Sequence, residues 1–480
     1  VARDKARKAA RDHLVNTFFE CARHSATPDR EDRPGRHVAG PVIFEQPLAR
    51  GPNVIPQAGP PLRGDDTAWM LVSTALVLLM TPALGFFYGG LVRRKNVLNT
   101  MMMSFVSLGV VGLAWALLGY SLAFAPGGGW AGGLNQALLR GVGLDTGSWG
   151  AFPRLLHFAY QGAFAIITAA LVSGAVVERM SFGAYVWFIG LWSLLVYAPA
   201  AHWVWGGGWL GKLGALDFAG GTVVHINAGA AALASAFAVG RRKDYGRQAF
   251  LPHNVPYVVL GAALLWFGWF GFNGGSASSA GPVAVLAFVN TLLAPATTLV
   301  VWLLLDLWRT GRPTAVGAAT GAVVGLVGVT PAAGFIAPAS AIVLGAVVAL
   351  PSYWYMIVFR PKAALDDSLD VFAAHGLGGI TGALLTGVLA QRAWSAPADG
   401  LIAGGVGLVG IQAVAILAVF GYSLVGTFVL LKLMGLRMSL RLGEKEEGIG
   451  MDLVMHGEEA YNRGEGAVLV QERREAGRGD

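Results

Sequence analysis

Eleven apolar runs of about 21 to 33 residues, crowded between positions 67 and 434, constrain this chain more than any other feature. Wound as a helix at 1.5 Å per residue, a run of that length crosses a hydrocarbon core of about 30 Å. The predicted limits are 67–92, 97–125, 155–177, 183–204, 219–240, 255–275, 282–308, 314–334, 337–358, 369–390 and 402–434. The chain therefore reads as an all-α polytopic membrane protein. Its composition agrees: 55% hydrophobic residues, 13% charged and a mean hydropathy of +0.56 are too apolar for a soluble protein of 480 residues. The 68 glycines follow no collagen-like period and suit close helix packing in a membrane.

Charge places the runs across the membrane. The loops after runs 1, 3, 5, 7 and 9 hold Arg93, Arg94, Lys95, Arg179, Arg241, Arg242, Lys243, Arg247, Arg309, Arg312, Arg360 and Lys362, against Arg140, Arg154, Lys212 and Arg392 on the other side. The positive-inside rule then puts the odd loops and the C-terminus in the cytoplasm and the N-terminus outside, in a multi-pass protein of the cell (inner or plasma) membrane. The net charge of +7 is accounted for by these loops and a basic N-terminal segment, so no nucleic-acid partner is expected. Three parts are predicted: a polar basic extension over 1–63, a membrane body over 64–436 and a cytoplasmic tail over 437–480. The extension has no signal-like apolar run, and the chain starts with Val1, so a fragment or a mis-set start is expected there. With Cys21 as the single cysteine, neither an intrachain disulfide nor a thiolate metal cluster is expected.

The body divides into two halves of five runs, the second inverted relative to the first, with the last long run outside the repeat. Gly-Phe-Phe-Tyr-Gly-Gly (85–90) in run 1 is a weak counterpart of Phe-Gly-Phe-Asn-Gly-Gly (270–275) in run 6. The histidines match better. Asp217 precedes His225 by eight residues, and Asp367 precedes His375 by eight. Eight helical residues advance about 12 Å, close to half of a 30 Å core, so the two imidazoles approach the midplane from opposite sides. A lone histidine on an apolar helix is more often a satisfied core residue. Two at matched depth point to function.

The residues around them are specific. Asp217 to His225 reads Asp-Phe-Ala-Gly-Gly-Thr-Val-Val-His, preceded by Trp205-Gly-Gly-Gly. Gln161-Gly-Ala-Phe-Ala, Gly268-Trp-Phe-Gly-Phe-Asn-Gly-Gly-Ser276, Gly328-Val-Thr-Pro331 and Asp370-Val-Phe occur in order along the body. Over about residues 65 to 462 the chain resembles the Amt/Mep/Rh ammonium transporters. That resemblance implies an eleven-helix fold of two inverted five-helix repeats plus a final long helix. It implies an outer site for ammonium at Trp205 and Ser276, a gate of Phe164 stacked on Phe272, and a pore crossed by the hydrogen-bonded pair His225 and His375. It also implies a homotrimer whose tail docks on a neighbouring subunit, with PII-type signalling proteins as cytoplasmic partners. The tail matches best at Gly450-Met-Asp and His456-Gly-Glu, and departs over Arg441 to Lys445.

Chemistry supports these roles separately. An aromatic face attracts ammonium and a hydroxyl accepts its N–H, although a span-end tryptophan also serves as a membrane anchor. Asp217 reads first as a helix cap and second as a cation site. Thr330-Pro331 either frees a carbonyl toward the vestibule or ends its helix. No cofactor or metal site and no catalytic residue is expected, since no His-Glu-x-x-His or nucleophile elbow occurs. The competing functions are a receptor for ammonium signalling through the tail and a secondary transporter of another small amine; a membrane enzyme is the weakest.

Overall fold

The computed structural model describes residues 59–363 and 365–461. Most of the expected N-terminal extension, Cys21, and the end of the tail lie outside the described residues. Among the described residues ten helices are long and apolar enough to cross a membrane: α1 (Gly64–Leu91), α2 (Arg94–Phe124), α3 (Arg154–Ala175), α4 (Phe182–Leu213), α5 (Gly221–Val239), α6 (Val255–Gly275), α7 (Pro282–Thr310), α9 (Pro338–Lys362), α10 (Phe372–Leu389) and α11 (Gly407–Gly435). The remaining predicted run forms a shorter apolar helix, α8 (Ala315–Val329). Its 15 residues rise only about 22 Å. It stops five residues before the predicted limit because Pro331 has no N–H to continue the ladder, and 330–336 turn back instead.

Large apolar side chains cover the outside of the bundle, Leu113 at 67% and Leu417 at 72% exposed, as lipid contact requires of a multi-pass membrane protein. Inside, small residues bring helices together. A Cβ on Gly229 of α5 would collide with the backbone of Gly376 in α10, so these two helices cross nearly backbone to backbone, one turn after His225 and next to His375. Each begins on a six-residue π-helical turn, Gly221–Ile226 in α5 and Phe372–Leu377 in α10, and each turn contains its histidine. Turns of this kind are rare and gather at functional sites. The repetition matches the inverted halves read from the two Asp-to-His spacings.

On one face, the loops after α1, α3, α5 and α9 meet in a buried ion network. Glu178 accepts from Arg93 Nε at 3.1 Å, from Asn96 Nδ2 at 2.8 Å and from Arg242 Nη1 at 2.9 Å. Arg242 also donates two side-chain bonds to Asp366 at 2.8 Å. Arg179, fully buried, donates to the carbonyls of Ala175, Gly240 and Asp366 and to Ser368 Oγ, and burial lowers its pKa to about 10. Several of the cations read from the sequence as topological signals are thus also structural ties.

The tail returns to this face of the helical body. Asp452 Oδ1 accepts from Asn99 N at 2.8 Å, and Met451 N donates to Asn96 Oδ1 at 2.9 Å. Lys95 Nζ donates to the carbonyls of Glu447 and Gly448, and Tyr461 Oη lies 3.1 Å from His253 Nε2. The Arg441–Lys445 segment, which departs from the resemblance, is fastened as well: Arg441 Nε donates to Glu447 Oε1 at 2.5 Å, and Arg441 forms an isolated antiparallel bridge with Met180.

Candidate functional site

The predicted pore residues fall into one column. At one end the ladder of α4 is interrupted at Trp205, whose indole Nε1 donates to the Asp217 carbonyl at 2.9 Å. Its ring meets Phe164 of α3 edge-on, centroids 6.0 Å apart. Ser276, just past the end of α6, is partly exposed and donates to the Phe272 carbonyl at 2.8 Å, one helical turn back. Below these, Phe164 and Phe272 stack with centroids 4.1 Å apart and 19° between planes. Both are buried, at 1% and 0% exposed.

Beneath the stack His225 and His375 face each other, Nδ1 to Nδ1 at 3.2 Å, with ring centroids 5.2 Å apart. Two acceptor lone pairs cannot form that bond, so one Nδ1 carries a hydrogen and the other accepts it. In a neutral pair the donor ring then has a bare Nε2 and the acceptor ring an Nε2–H. The pair therefore offers one acceptor and one donor to a passing molecule. His225 Nε2 is buried and has no protein partner. Ile167, Leu171, Val224, Leu265 and Val323 complete an apolar cavity around the rings. Its free space is about 10 Å³, roughly that of one water-sized molecule.

Asp217 and Thr330 each bond to backbone at a helix end. Asp217 accepts four backbone N–H bonds, from Gly220, Gly221, Thr222 and Val223 at 2.6 to 2.9 Å, which caps the first turn of α5 completely. Thr330 closes α8, donating to the Leu326 carbonyl at 2.7 Å and accepting from Trp269 Nε1 at 2.9 Å.

A model of the Ammonium Transporter Family matches residues 68–461. The chain belongs to the ammonium transporter family. Among its relatives in the family, an ammonium transporter of Bacillus subtilis is 49% identical over 398 residues, spanning 82% of this chain and 98% of that protein. One from Aquifex aeolicus is 47% identical, over 83% of this chain and 93% of that protein. Among solved structures of this transporter fold, Mep2 of Candida albicans superposes with a TM-score of 0.76 at 36% identity, covering 80% of this chain and 88% of that one. A structure described as a sensor Amt protein gives 0.76 at 26% identity, covering 82% and 98%.

Two side chains of the transporter join the column without having been singled out by sequence. Tyr160 Oη donates to the Phe272 carbonyl at 2.8 Å, lies 3.2 Å from Ser276 Oγ, and packs its ring on Phe164 at 4.9 Å. Trp269 lies nearly parallel to the His225 ring at 5.3 Å. The available signal was helical spacing: Tyr160 stands four residues before Phe164, and Trp269 three before Phe272, so each shares its partner's face. Among the described residues no group of three His, Cys, Asp or Glu side chains is placed to hold a metal ion.

Proposed function

We propose that this protein carries ammonium across the cell membrane by taking it up at the Trp205 and Ser276 end and passing it as ammonia between His225 and His375. The observation that carries this reading is the continuous column of Trp205, the Phe164–Phe272 stack and the two imidazoles, ending in a cavity of about 10 Å³. Ammonium is held outside by the indole face and the serine hydroxyl. It gives up a proton to solvent in the vestibule at or above the phenylalanine stack, because an unpaired charge in the apolar segment below is prohibitive. Neutral ammonia then donates to the bare histidine nitrogen and accepts from the N–H of the other. Exchange of the two tautomers lets a proton that reaches one imidazole move along the pair. Potassium has no proton to release, and the segment offers nothing to replace its water shell, so it is excluded.

The positive-inside pattern supports the Trp205 end as the outer one, with the network and tail in the cytoplasm. By family resemblance the protein works as a homotrimer, with a PII-type protein as the partner of the tail face. Similarity to a sensor Amt protein favours a second reading, an ammonium sensor; binding of ammonium by reconstituted protein with no flux at any concentration would favour it over transport.

Trp205→Leu tests the outer site. Removing one cation–π contact is expected to raise the half-saturating ammonium concentration by roughly 2- to 30-fold, with a smaller effect on maximal rate. Flux measured over an ammonium series in proteoliposomes checks it; an unchanged half-saturation removes Trp205 from the site.

A further inference from the structure

The two Asp-to-His spacings are matched in sequence, yet the two aspartates differ in how they are bonded. Asp217 spends both carboxylate oxygens on four backbone N–H groups. Asp367, its counterpart ahead of α10, accepts from Phe372 N at 2.7 Å through Oδ2 and leaves Oδ1 buried without a partner, in a residue only 3% exposed. Three residues on, Asp370 repeats the pattern. Its Oδ2 accepts from Arg360 Nη1 at 2.7 Å, and its Oδ1 is buried and unpartnered. A carboxylate oxygen shut away from water with no donor is costly, and a native protein seldom carries two so close together without a use for them. Their chemistry defines that use: anionic acceptors, beside the turn that carries His375, suit a small cation bearing several N–H groups.

We propose that Asp367 and Asp370 form an ammonium-binding position at the tail-side mouth of the pore, their Oδ1 atoms accepting N–H bonds from the cation. The assignment rests on the transport reading and extends it to the opposite mouth. The neighbouring charged and titratable groups are Arg360, Arg242, Arg179, Asp366, Tyr88 and Tyr355. Burial raises the carboxyl of Asp370 to about 7, with Arg360 opposing the rise, and burial also holds Asp367 above its ordinary range. An arriving cation would relieve both.

The test uses the full chain in oriented proteoliposomes, with ammonium chloride jumps applied separately to each face and half-saturation read from the current or pH change. Asp367→Asn and Asp370→Asn are each expected to raise half-saturation on the tail face by about tenfold, the worth of one charged hydrogen bond, with the Trp205 face changed less than about twofold. Arg360→Gln releases the second oxygen of Asp370 and is expected to lower the tail-face value about threefold. If Asp367→Asn fails to fold because Phe372 loses its cap, the other two variants decide, since a purely structural role does not produce opposite signs. A parent without flux from either face defeats the transport reading. A parent that conducts, with variants that leave the tail-face value unchanged, shift both faces alike, or move it upward for Arg360→Gln, overturns the binding position alone.

Discussion

Replacing either His225 or His375 by alanine is expected to reduce ammonium flux by about 10²-fold or more, the lower range for loss of a positioned proton-transfer group. Either change breaks the 3.2 Å Nδ1 contact and deprives the remaining ring of its fixed tautomer. A passing ammonia then meets one nitrogen whose hydrogen is unassigned instead of a paired acceptor and donor. The substitution also enlarges a cavity with about 10 Å³ of free space, enough for water to enter the apolar segment proposed to exclude metal cations. Residual conduction is therefore expected to be less selective, with potassium admitted. Flux of ammonium and potassium through each variant in liposomes measures both effects. Parent-like rate and selectivity in both alanine variants would remove the histidines from the mechanism.

Glu178→Gln is expected to destabilise the protein by about 3 to 5 kcal/mol, because it removes the carboxylate that pairs with Arg93 and one of the two that neutralise the buried Arg242. The Glu178 side chain is 0% exposed and that of Arg242 2%, so water cannot compensate. The loss reaches four loops at once, since Arg242 links Glu178 to Asp366 and Arg93 and Asn96 bond to the same carboxylate. Burial opposes the charges of Glu178 and Asp366, but their arginine partners outweigh it and hold both carboxyls below their ordinary range. Carboxyls held low contribute stability that is complete above that range and is lost as pH falls through their depressed values. Thermal unfolding in detergent, run at neutral and at acidic pH, checks the substitution and the pH trend together. A parent-like melting temperature for the variant would show that the network is dispensable.

Much of this was legible in the sequence because membrane helices are set by length and apolarity, which are local properties. The two Asp-to-His spacings singled out both histidines, whose rings meet at 3.2 Å. What spacing does not encode is lateral arrangement. That Phe164 stacks on Phe272 came from resemblance, and nothing in the run containing Tyr160 indicated that its hydroxyl would reach the Phe272 carbonyl. The helix before Thr330 is shorter than its apolarity implies, because apolar residues continue past Pro331 although its missing N–H ends the helix. The ion network was invisible for a further reason: Arg93, Arg242 and Glu178 are far apart in sequence, and loop arginines are more readily read as topology signals than as buried partners.

The central claim, a dry pore that ammonium crosses only by shedding its charge, is tested most directly by comparing ammonium and potassium in the same proteoliposomes of the parent protein. Equal inward gradients of the two cations are applied while internal pH and current are recorded. Ammonium is predicted to enter, and potassium to give no flux above protein-free vesicles. Potassium passing at a comparable rate, or no ammonium entry at all, would contradict it.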